Sequence, residues 1–437
     1  MNEINDMLQT LKTQAQSYIT NILGIQQENL EASAYECGAI QRTGETSNAK
    51  LLLQLLLIYA TSSVSLRIIA VCAYLIDDVN VSDEAWRQRF LKCGAWIYYL
   101  LKISLDSLAP TALWFSHDGL NTQVYLIDAT IFKQEGHNGT ELRAHLCYNL
   151  TKGAMEEVIV SDRHTAESVG HFTVKPGSLY ICDAGYGIGT NIDHIASNKG
   201  YALFRITPHL VRLAGDSDGK QIIDMAQKLK TRKKQVVITC FVHVAKGRYL
   251  PVRVIASRLP EDKALLAKER KIRMANKKQR QIKQSTLIFC QWVILMTTAD
   301  VKHSPESLLH LYRSRWQIEL LFKRIKQFFS VKRLRNASLE HSKLIVLLLL
   351  LAWSAVEKKA LEAEIKLILK NHDVQLYSPW VMSMLFFHQF ETLLNLLWAG
   401  DFRLTLCVSD FYKLMRNHKS RRRNHYIDFR LGFCCIP

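Results

Sequence analysis

The 437-residue sequence lacks several features that define common classes of protein. Its ten cysteines form no CxxC pair and no Cys/His ligand spacing, which argues against a zinc site or a disulfide framework and favours reduced thiols. The polar start, MNEINDMLQTLKTQ, has no signal-peptide core. No segment is a Pro- or Ser-rich linker, a repeat or a low-complexity tract. We therefore expect a cytoplasmic, globular protein.

The sequence also has no convincing membrane span, although two apolar runs raise the question. LLLQLLLIYATSSVSL, after Lys50, contains Gln54 and a Ser/Thr cluster. LIVLLLLLAWSAV, from Leu344, is too short to cross the ~30 Å of bilayer hydrocarbon. We predict that both runs are buried core helices and that the protein has no membrane partner.

The charge balance is strongly basic. Lys and Arg number 57 against 39 acids, a net charge of +18, which favours a nucleic-acid partner. Nine cations and one acid, Glu269, lie between Lys263 and Lys283. This run is either a solvated helix face or an arm that contacts phosphates. The run KSRRRNH at 419–425 indicates a solvated tail, with nonspecific DNA binding as the alternative.

The hydrophobic content of 48% and the chain length allow two or three domains, and the pattern of elements predicts an α/β protein with a mixed sheet. Short helices open the chain; either a helix-turn-helix DNA reader or an ordinary helical packing domain fits them. Strand patterns follow, including a hairpin and a strand predicted for STLIFCQWVILMTT. The predicted segments are a helical domain at 1–120, for which DNA binding is the candidate role, and an α/β core in two parts at 121–220 and 296–360. A β-rich basic insertion at 221–295 separates the two parts, and a C-terminal helical region at 361–437 is the candidate for dimerisation.

Three acids stand out by position. Asp128 and Asp183 close two strands, and Glu319 lies in LLHLYRSRWQIELLFKRIKQFF, residues 308–329. As one helix, this segment places Tyr312, Arg315, Glu319 and Lys326 within roughly 60° of each other, with Lys323 and Trp316 just beyond. Three convergent carboxylates can hold two Mg²⁺ ions ~3.5–4 Å apart for phosphodiester chemistry. Singly, each acid is better explained as a turn, cap or solvated residue; the hypothesis depends on their combination.

The spacing Tyr312-x2-Arg315-x3-Glu319-x6-Lys326 resembles the Y-R-E-K signature of bacterial insertion-sequence transposases of the IS-four type. Asp128 in IDAT and Asp183 in CDAGYG are similar to the first and second acids of that family, and the long gap to Glu319 resembles its β-rich insertion. One departure is Ala184, where many members have Arg. The resemblance covers roughly residues 45 to 355 and implies a DDE enzyme with a ribonuclease H-like core.

The resemblance also implies roles and partners. By this resemblance, two Mg²⁺ ions, for which Mn²⁺ can substitute, would be bound by Asp128, Asp183 and Glu319. The same three acids would catalyse strand cleavage and strand transfer at the inverted-repeat ends, with a hairpin intermediate as one route. A homodimer would join two ends of double-stranded DNA. Further residues would contact that DNA: Tyr312, Arg315, Lys323, Lys326, Arg205, Trp316 and Trp292.

Alternatives remain at this stage. Trp292 on an apolar strand fits a core residue as well as a base-stacking one. The whole chain could be a catalytically inactive repressor derived from a transposase, or another ribonuclease H-like nuclease. Cleavage of end DNA with Mg²⁺ or Mn²⁺ would exclude the repressor, and a requirement for inverted repeats would exclude the other nuclease.

Overall fold

The fold is given by a computed structural model. The residues that it describes, and to which all statements below apply, are 23, 25–42, 44, 48–62, 64–107, 122–135, 142–232, 234–244, 247–299, 303–331, 334, 338–370 and 383–388. The predicted tail at 419–425 and most of the predicted C-terminal region at 361–437 lie outside these residues.

Helices open and close the described chain. Those before the sheet are α1 (Gln27–Glu36), α2 (Ala49–Thr61), α3 (Leu66–Asp77), α4 (Asp83–Leu91) and α5 (Gly94–Asp106). Those within and after it are α6 (Gly189–Ser197), α7 (Met225–Lys230), α8 (Glu261–Lys277), α9 (Gln284–Phe289), α10 (Pro305–Arg313), α11 (Trp316–Phe328) and α12 (Leu339–Lys370). Residues 383–388 are also helical. Side-chain caps at Asn48, Ser65, Ser82 and Ser304 accept from the first-turn amides of α2, α3, α4 and α10.

One mixed sheet holds nine strands in the order β3-β2-β1-β4-β5-β9-β8-β7-β6. The strands are β1 (Val124–Phe132), β2 (Leu142–Asn149), β3 (Ala154–Asp162), β4 (Leu179–Cys182), β5 (Tyr201–Arg205), β6 (Leu213–Ala214), β7 (Val236–His243), β8 (Tyr249–Arg258) and β9 (Trp292–Thr297). Strands β1, β4 and β5 run parallel, and every other neighbouring pair is antiparallel. The parallel strands therefore form the centre of the sheet, and the predicted insertion extends it on one side.

Two cores cover the two faces of this sheet. Successive residues of a strand point to opposite faces, so Leu126 belongs to one core and Ile127 to the other. The first core also contains α2, α5, α11 and α12. The second contains α6, α7 and the buried parts of β7 and β8. Because both faces of β1 and β4 are covered, their sequences are continuous apolar runs rather than alternating ones.

The N-terminal helices and the central sheet share that first core. Helix α12 is buried all round over Leu344–Val356, because α2 and α5 lie on one side of it and β3 on the other. Two buried hydrogen bonds join the same parts: Ser104 Oγ to Ser354 Oγ at 2.8 Å, and His341 Nε2 to Tyr59 Oη at 3.0 Å. The helices therefore form one packed body with the sheet.

The apolar runs fold as predicted. The first forms α2 and the second forms part of α12, and both are buried. In the described part of the chain, none of the helices combines the length and the apolar character that crossing a bilayer requires. The strand predictions at β1 to β5 and the β7–β8 hairpin are also confirmed.

Two predictions of local structure were wrong. STLIFCQWVILMTT forms a short helix, α9, before strand β9, rather than one strand. Its apolar first half fits either a buried helix turn or a strand, and periodicity does not separate the two. The Y-R-E-K segment is two helices, not one: α10 ends at Arg313 and α11 begins at Trp316. The amides of Ser314 and Arg315 bond to the carbonyls three residues back, at 3.0 and 3.1 Å, so the chain tightens there.

Candidate active site

The first two acids lie side by side on the central parallel strands. Strand β1 pairs with β4 so that Ile127 is opposite Cys182. Asp128 is therefore the next residue along β1, and Asp183 directly follows β4. The sequence predicts Asp128 at the end of a strand, but Asp128 lies in the middle of β1. This strand continues to Phe132, because it remains paired with β2 up to that residue. The two carboxylates project where β4 ends, which is where ligands bind in open α/β sheets.

The carboxyl group of Asp128 has a strongly raised pKa. Burial, together with the negative charges of Asp183 and Glu167, raises this pKa to about 7 against the opposing effects of the Ala129 amide and Arg315. The Ala129 N–H donates to Asp128 Oδ1 at 2.8 Å. A carboxyl group with few compensating partners beside a second carboxylate is typical of a site that receives a cation.

Arg315 joins the strand acid to the helix acid. Its Nη1 lies 3.4 Å from Asp128 Oδ2, and its Nη2 donates to Glu319 Oε1 one helical turn further on. The Arg315 and Asp128 side chains are only 17% and 16% exposed, so this ion pair is largely shielded from water. Because Arg315 stands at the start of α11, the break after α10 sets the position of this guanidinium. The structure thus brings Asp128, Asp183 and Glu319 into one region.

Tyr312 and Arg205 lie on the flank of this region. The guanidinium carbon of Arg315 is 6.0 Å from the centre of the Tyr312 ring, a cation–π arrangement. Burial raises the pKa of Tyr312 to about 12, while the nearby positive charges of Arg315 and Arg205 oppose that rise. Arg205 is exposed at the end of β5, next to β4. Both predicted DNA contacts are therefore near the carboxylates.

The two lysines of α11 differ in their surroundings. Lys326 Nζ donates to Thr130 Oγ1 at 2.7 Å and to the Ile131 carbonyl at 2.8 Å, and it lies 5.1 Å from the centre of the Phe132 ring. Burial lowers the pKa of Lys326. The hydrogen bonds of Lys326 thus connect α11 to β1 just after Asp128. Lys323 is exposed and has no partner among the residues described.

The two candidate stacking residues also differ. Trp316, at the start of α11, is 57% exposed beside Arg315. Trp292 is 4% exposed and packs in the core of the sheet's other face. Trp316 is therefore accessible from solvent, whereas Trp292 is a core residue, which is one of the two alternatives predicted for it from the sequence.

The glycine-rich loop after Asp183 has a packing role. The Gly185 amide donates to Asp183 Oδ1 at 2.8 Å. A Cβ atom on Gly187 would come within 2.4 Å of the Arg205 carbonyl oxygen, and one on Gly189 within 2.0 Å of that of His243. The absence of side chains at Gly187 and Gly189 thus lets the loop lie against the ends of β5 and β7.

One acid of this region was missed by the sequence analysis. The position of a Cβ on Gly185 would be 2.8 Å from Glu167 Oε2 and 3.1 Å from Asp183 Oδ1, so Glu167 and Asp183 face the same small space. Arg143 Nε lies 3.7 Å from Glu167 Oε1 and partly balances it. Glu167 stands in a loop after β3, where no periodic pattern marks it, so the sequence contains nothing that would have identified it.

Oxygen donors suited to a hard divalent cation are present, but Arg315 occupies part of the site. Carboxylates are the preferred ligands of Mg²⁺ and Mn²⁺, and the carboxyl group of Asp128 is buried beside that of Asp183, which also raises its pKa. Within the described ranges, no three acidic, His or Cys side chains are close enough to hold one ion. Arg315 stands between Asp128 and Glu319. The oxygen donors therefore suit a divalent cation, and Glu319, one of these donors, is paired with Arg315.

Comparison with known proteins identifies one matching family and several similar proteins. The family described as the transposase DDE domain matches residues 119–355. The transposase for insertion sequence element IS421 of Escherichia coli and the InsL protein of element IS186A of E. coli K12 are each 29% identical, over 74% of this chain and 88% of theirs. The transposase for element IS231E of Bacillus thuringiensis subsp. finitimus is 26% identical over 183 residues, 38% of either chain.

These findings confirm the predicted α/β fold with a ribonuclease H-like core and the resemblance to insertion-sequence transposases of the IS-four type. Enzymes of this family act on DNA and use a divalent metal. The family match spans more than half of the chain and includes all three acids. The chain therefore belongs to the DDE transposase family and is a DNA transposase of an insertion sequence.

Proposed function

We propose that Asp128, Asp183 and Glu319 are the catalytic carboxylates of a cut-and-paste transposase. The observation that carries this proposal is that Arg315 contacts both Asp128 and Glu319, while Asp183 lies on the strand next to Asp128. The three acids are separated by 55 and by 136 positions in the sequence, and they lie close together where strand β4 ends. Two Mg²⁺ ions, or Mn²⁺ in their place, would supply an activated oxygen nucleophile and stabilise the leaving oxygen when bound to this set.

The proposed reaction consists of four displacements at phosphorus. Water attacks the scissile phosphate and forms the new P–O bond as the bond to the 3′-oxygen breaks, leaving a 3′-hydroxyl and a 5′-phosphate. That 3′-hydroxyl attacks a phosphate of the opposite strand, which closes a hairpin and expels the 3′-oxygen of the flanking DNA. Water then attacks the hairpin phosphate and releases the 3′-hydroxyl again, and this hydroxyl attacks a phosphate of target DNA and expels a 3′-oxygen of the target strand. The protein's part is to orient the strands and to neutralise charge on the phosphate.

The cations around the acids would hold the DNA end. Arg315 is a bidentate phosphate donor, and its contacts to Asp128 and Glu319 keep it at the point where the scissile phosphate would lie. Tyr312, Arg205 and Lys323 would contact neighbouring phosphates. Lys326 would keep β1 and α11 together and add positive charge. Trp316, exposed beside Arg315, would stack on a flipped base.

The remaining assignments follow from the reaction. Both element ends must be cut and joined together, so we propose a homodimer on the synapsed DNA. The helices before the sheet would read the inverted repeats, and the protein would work at the bacterial nucleoid in the cytoplasm. Arg87, in α4, forms a solvent-exposed ion pair with Glu84; such surface pairs are weak, so Arg87 would still be able to contact DNA.

The test uses DNA from the flanks of the gene, which contains the element's own inverted repeats. With Mg²⁺ or Mn²⁺, the wild-type protein should nick this DNA and form hairpin ends that a denaturing gel resolves. Asp128→Asn, Asp183→Asn and Glu319→Gln should each abolish nicking while retaining binding in a gel-shift assay. Full activity of any of these variants would remove that acid from the site. Binding without cleavage by the wild type would instead indicate a repressor.

A further inference from the structure

Helix α8 carries a row of cations on its outer side. With Ala264, the one buried residue of α8, at 0° on a helical wheel, Lys263, Arg270, Arg273 and Lys277 fall between roughly 180° and 260°. These four residues, here called the outer stripe, extend along about 21 Å of helix. They therefore form one line that points away from the protein.

The outer stripe has no internal partner. All four side chains are exposed, and none forms an ion pair or a side-chain hydrogen bond within the described part of the chain. Glu269, the one acid in the body of the helix, lies outside the stripe at roughly 140°. Leu266, 62% exposed, lies between the cations. Lys268 and Lys271 are exposed as well, but they fall at roughly 40° and 340°, on the inner side of the helix, which carries Ala264. Both lie near enough to Cys290 to oppose the rise in its pKa that burial causes.

The start of α8 shares a sheet edge with the carboxylates. Strand β8 is antiparallel to β9, and β9 is antiparallel to β5, so β8 runs in the same direction as β5 and β4. Helix α8 follows β8 directly, and Asp183 follows β4 directly. Three strand spacings separate β4 from β8, which amounts to about 15 Å. The outer stripe thus begins within about half a turn of duplex DNA from the acids.

We propose that the outer stripe binds the phosphate backbone of the duplex that continues from the scissile phosphate, independently of its sequence. Duplex DNA presents one negative charge per ~1.7 Å of axis, so a row of four cations over about 21 Å is complementary to it. Phosphate contacts of this kind position a protein on DNA without reading bases. This inference deepens the proposed function, because it assumes that the carboxylate edge receives DNA.

The test compares two faces of the same helix. Arg270→Gln/Arg273→Gln removes two outer cations, and Lys268→Gln/Lys271→Gln removes two inner ones with the same change in net charge. Gln preserves helix propensity, so both proteins should fold alike by circular dichroism. Binding of a 40-base-pair duplex of random sequence is measured by fluorescence anisotropy over a salt series. The outer variant should lower the slope of log K against log salt by about 2, and the inner variant by less than half of that.

Two results would overturn the proposal: an unchanged slope in the outer variant, or equal reductions in both variants, which would reflect overall charge alone. The outcome is separate from catalysis. If the wild type cleaves end DNA and the outer variant binds normally, this inference alone fails; if the stripe binds DNA but no cleavage occurs, the proposed function fails.

Discussion

Similar side chains near the carboxylates fall into two groups, those held by the protein and those left to solvent. Arg315 is paired with two acids, whereas Arg313, two residues earlier, is exposed. Lys326 is bonded to β1, whereas Lys323 is exposed. The held group is pre-positioned and partly desolvated, so its charges act strongly at short range. The exposed group is fully hydrated and contributes mainly salt-dependent affinity.

The largest effect is expected from the tryptophans. Trp292→Ala should lower the free energy of unfolding by about 3–5 kcal/mol, because it leaves a cavity in the core. Trp316→Ala should change it by less than about 0.5 kcal/mol, since the indole is 57% exposed. Urea unfolding followed by circular dichroism measures both. Equal losses in the two variants would remove the distinction between core and surface tryptophan.

The arginines should show the next largest difference, in activity. Arg315→Ala should reduce the single-turnover cleavage rate about 10²–10³-fold, a cost typical of losing one pre-positioned donor of positive charge. Arg313→Ala is the matched control and should change the rate by less than about threefold, because Arg313 makes no contact with the acids. The proposed role of Arg315 would be lost if both variants cleaved at the wild-type rate at one salt concentration.

Glu357 allows a smaller, pH-dependent test away from the active site. Burial raises its pKa to about 7, and it accepts the Met155 amide at 3.1 Å. Because the folded protein binds this proton more tightly than the unfolded chain does, ionising Glu357 costs stability as the pH rises from about 4.5 to 7. Glu357→Gln keeps the acceptor without the charge, so it should become more stable relative to wild type by roughly 2–3 kcal/mol across this range.

Thermal unfolding of both proteins from pH 4 to 8 measures that difference. Other titrating groups are common to the two proteins and cancel. Glu269→Gln, in exposed α8, is the control and should give a difference that does not vary with pH by more than about 0.5 kcal/mol. A constant difference for Glu357→Gln would show that folding does not shift the pKa of this carboxyl group.

The sequence predicted the elements that have strong local patterns. Strands β1 to β5, the buried helices α2 and α12, and the positions of Asp128, Asp183 and Glu319 follow from apolar runs and motif spacing. The break at Ser314 escaped detection because a tight turn hardly disturbs a helical wheel. Glu167 reaches the acids through tertiary folding alone, and no local pattern in the sequence encodes such a contact. Similarly, the pairing of β9 with β5, which makes the insertion part of the main sheet, depends on residues about 90 positions apart.

The shared packing of α12 has a mechanical consequence. Its leucines contact the N-terminal helices on one side and the sheet that carries Asp128 on the other. Interiors packed in this way have low compressibility and transmit strain. Among the described residues, a displacement of the N-terminal helices would therefore carry the sheet and its acids with it, because one continuous core joins the two.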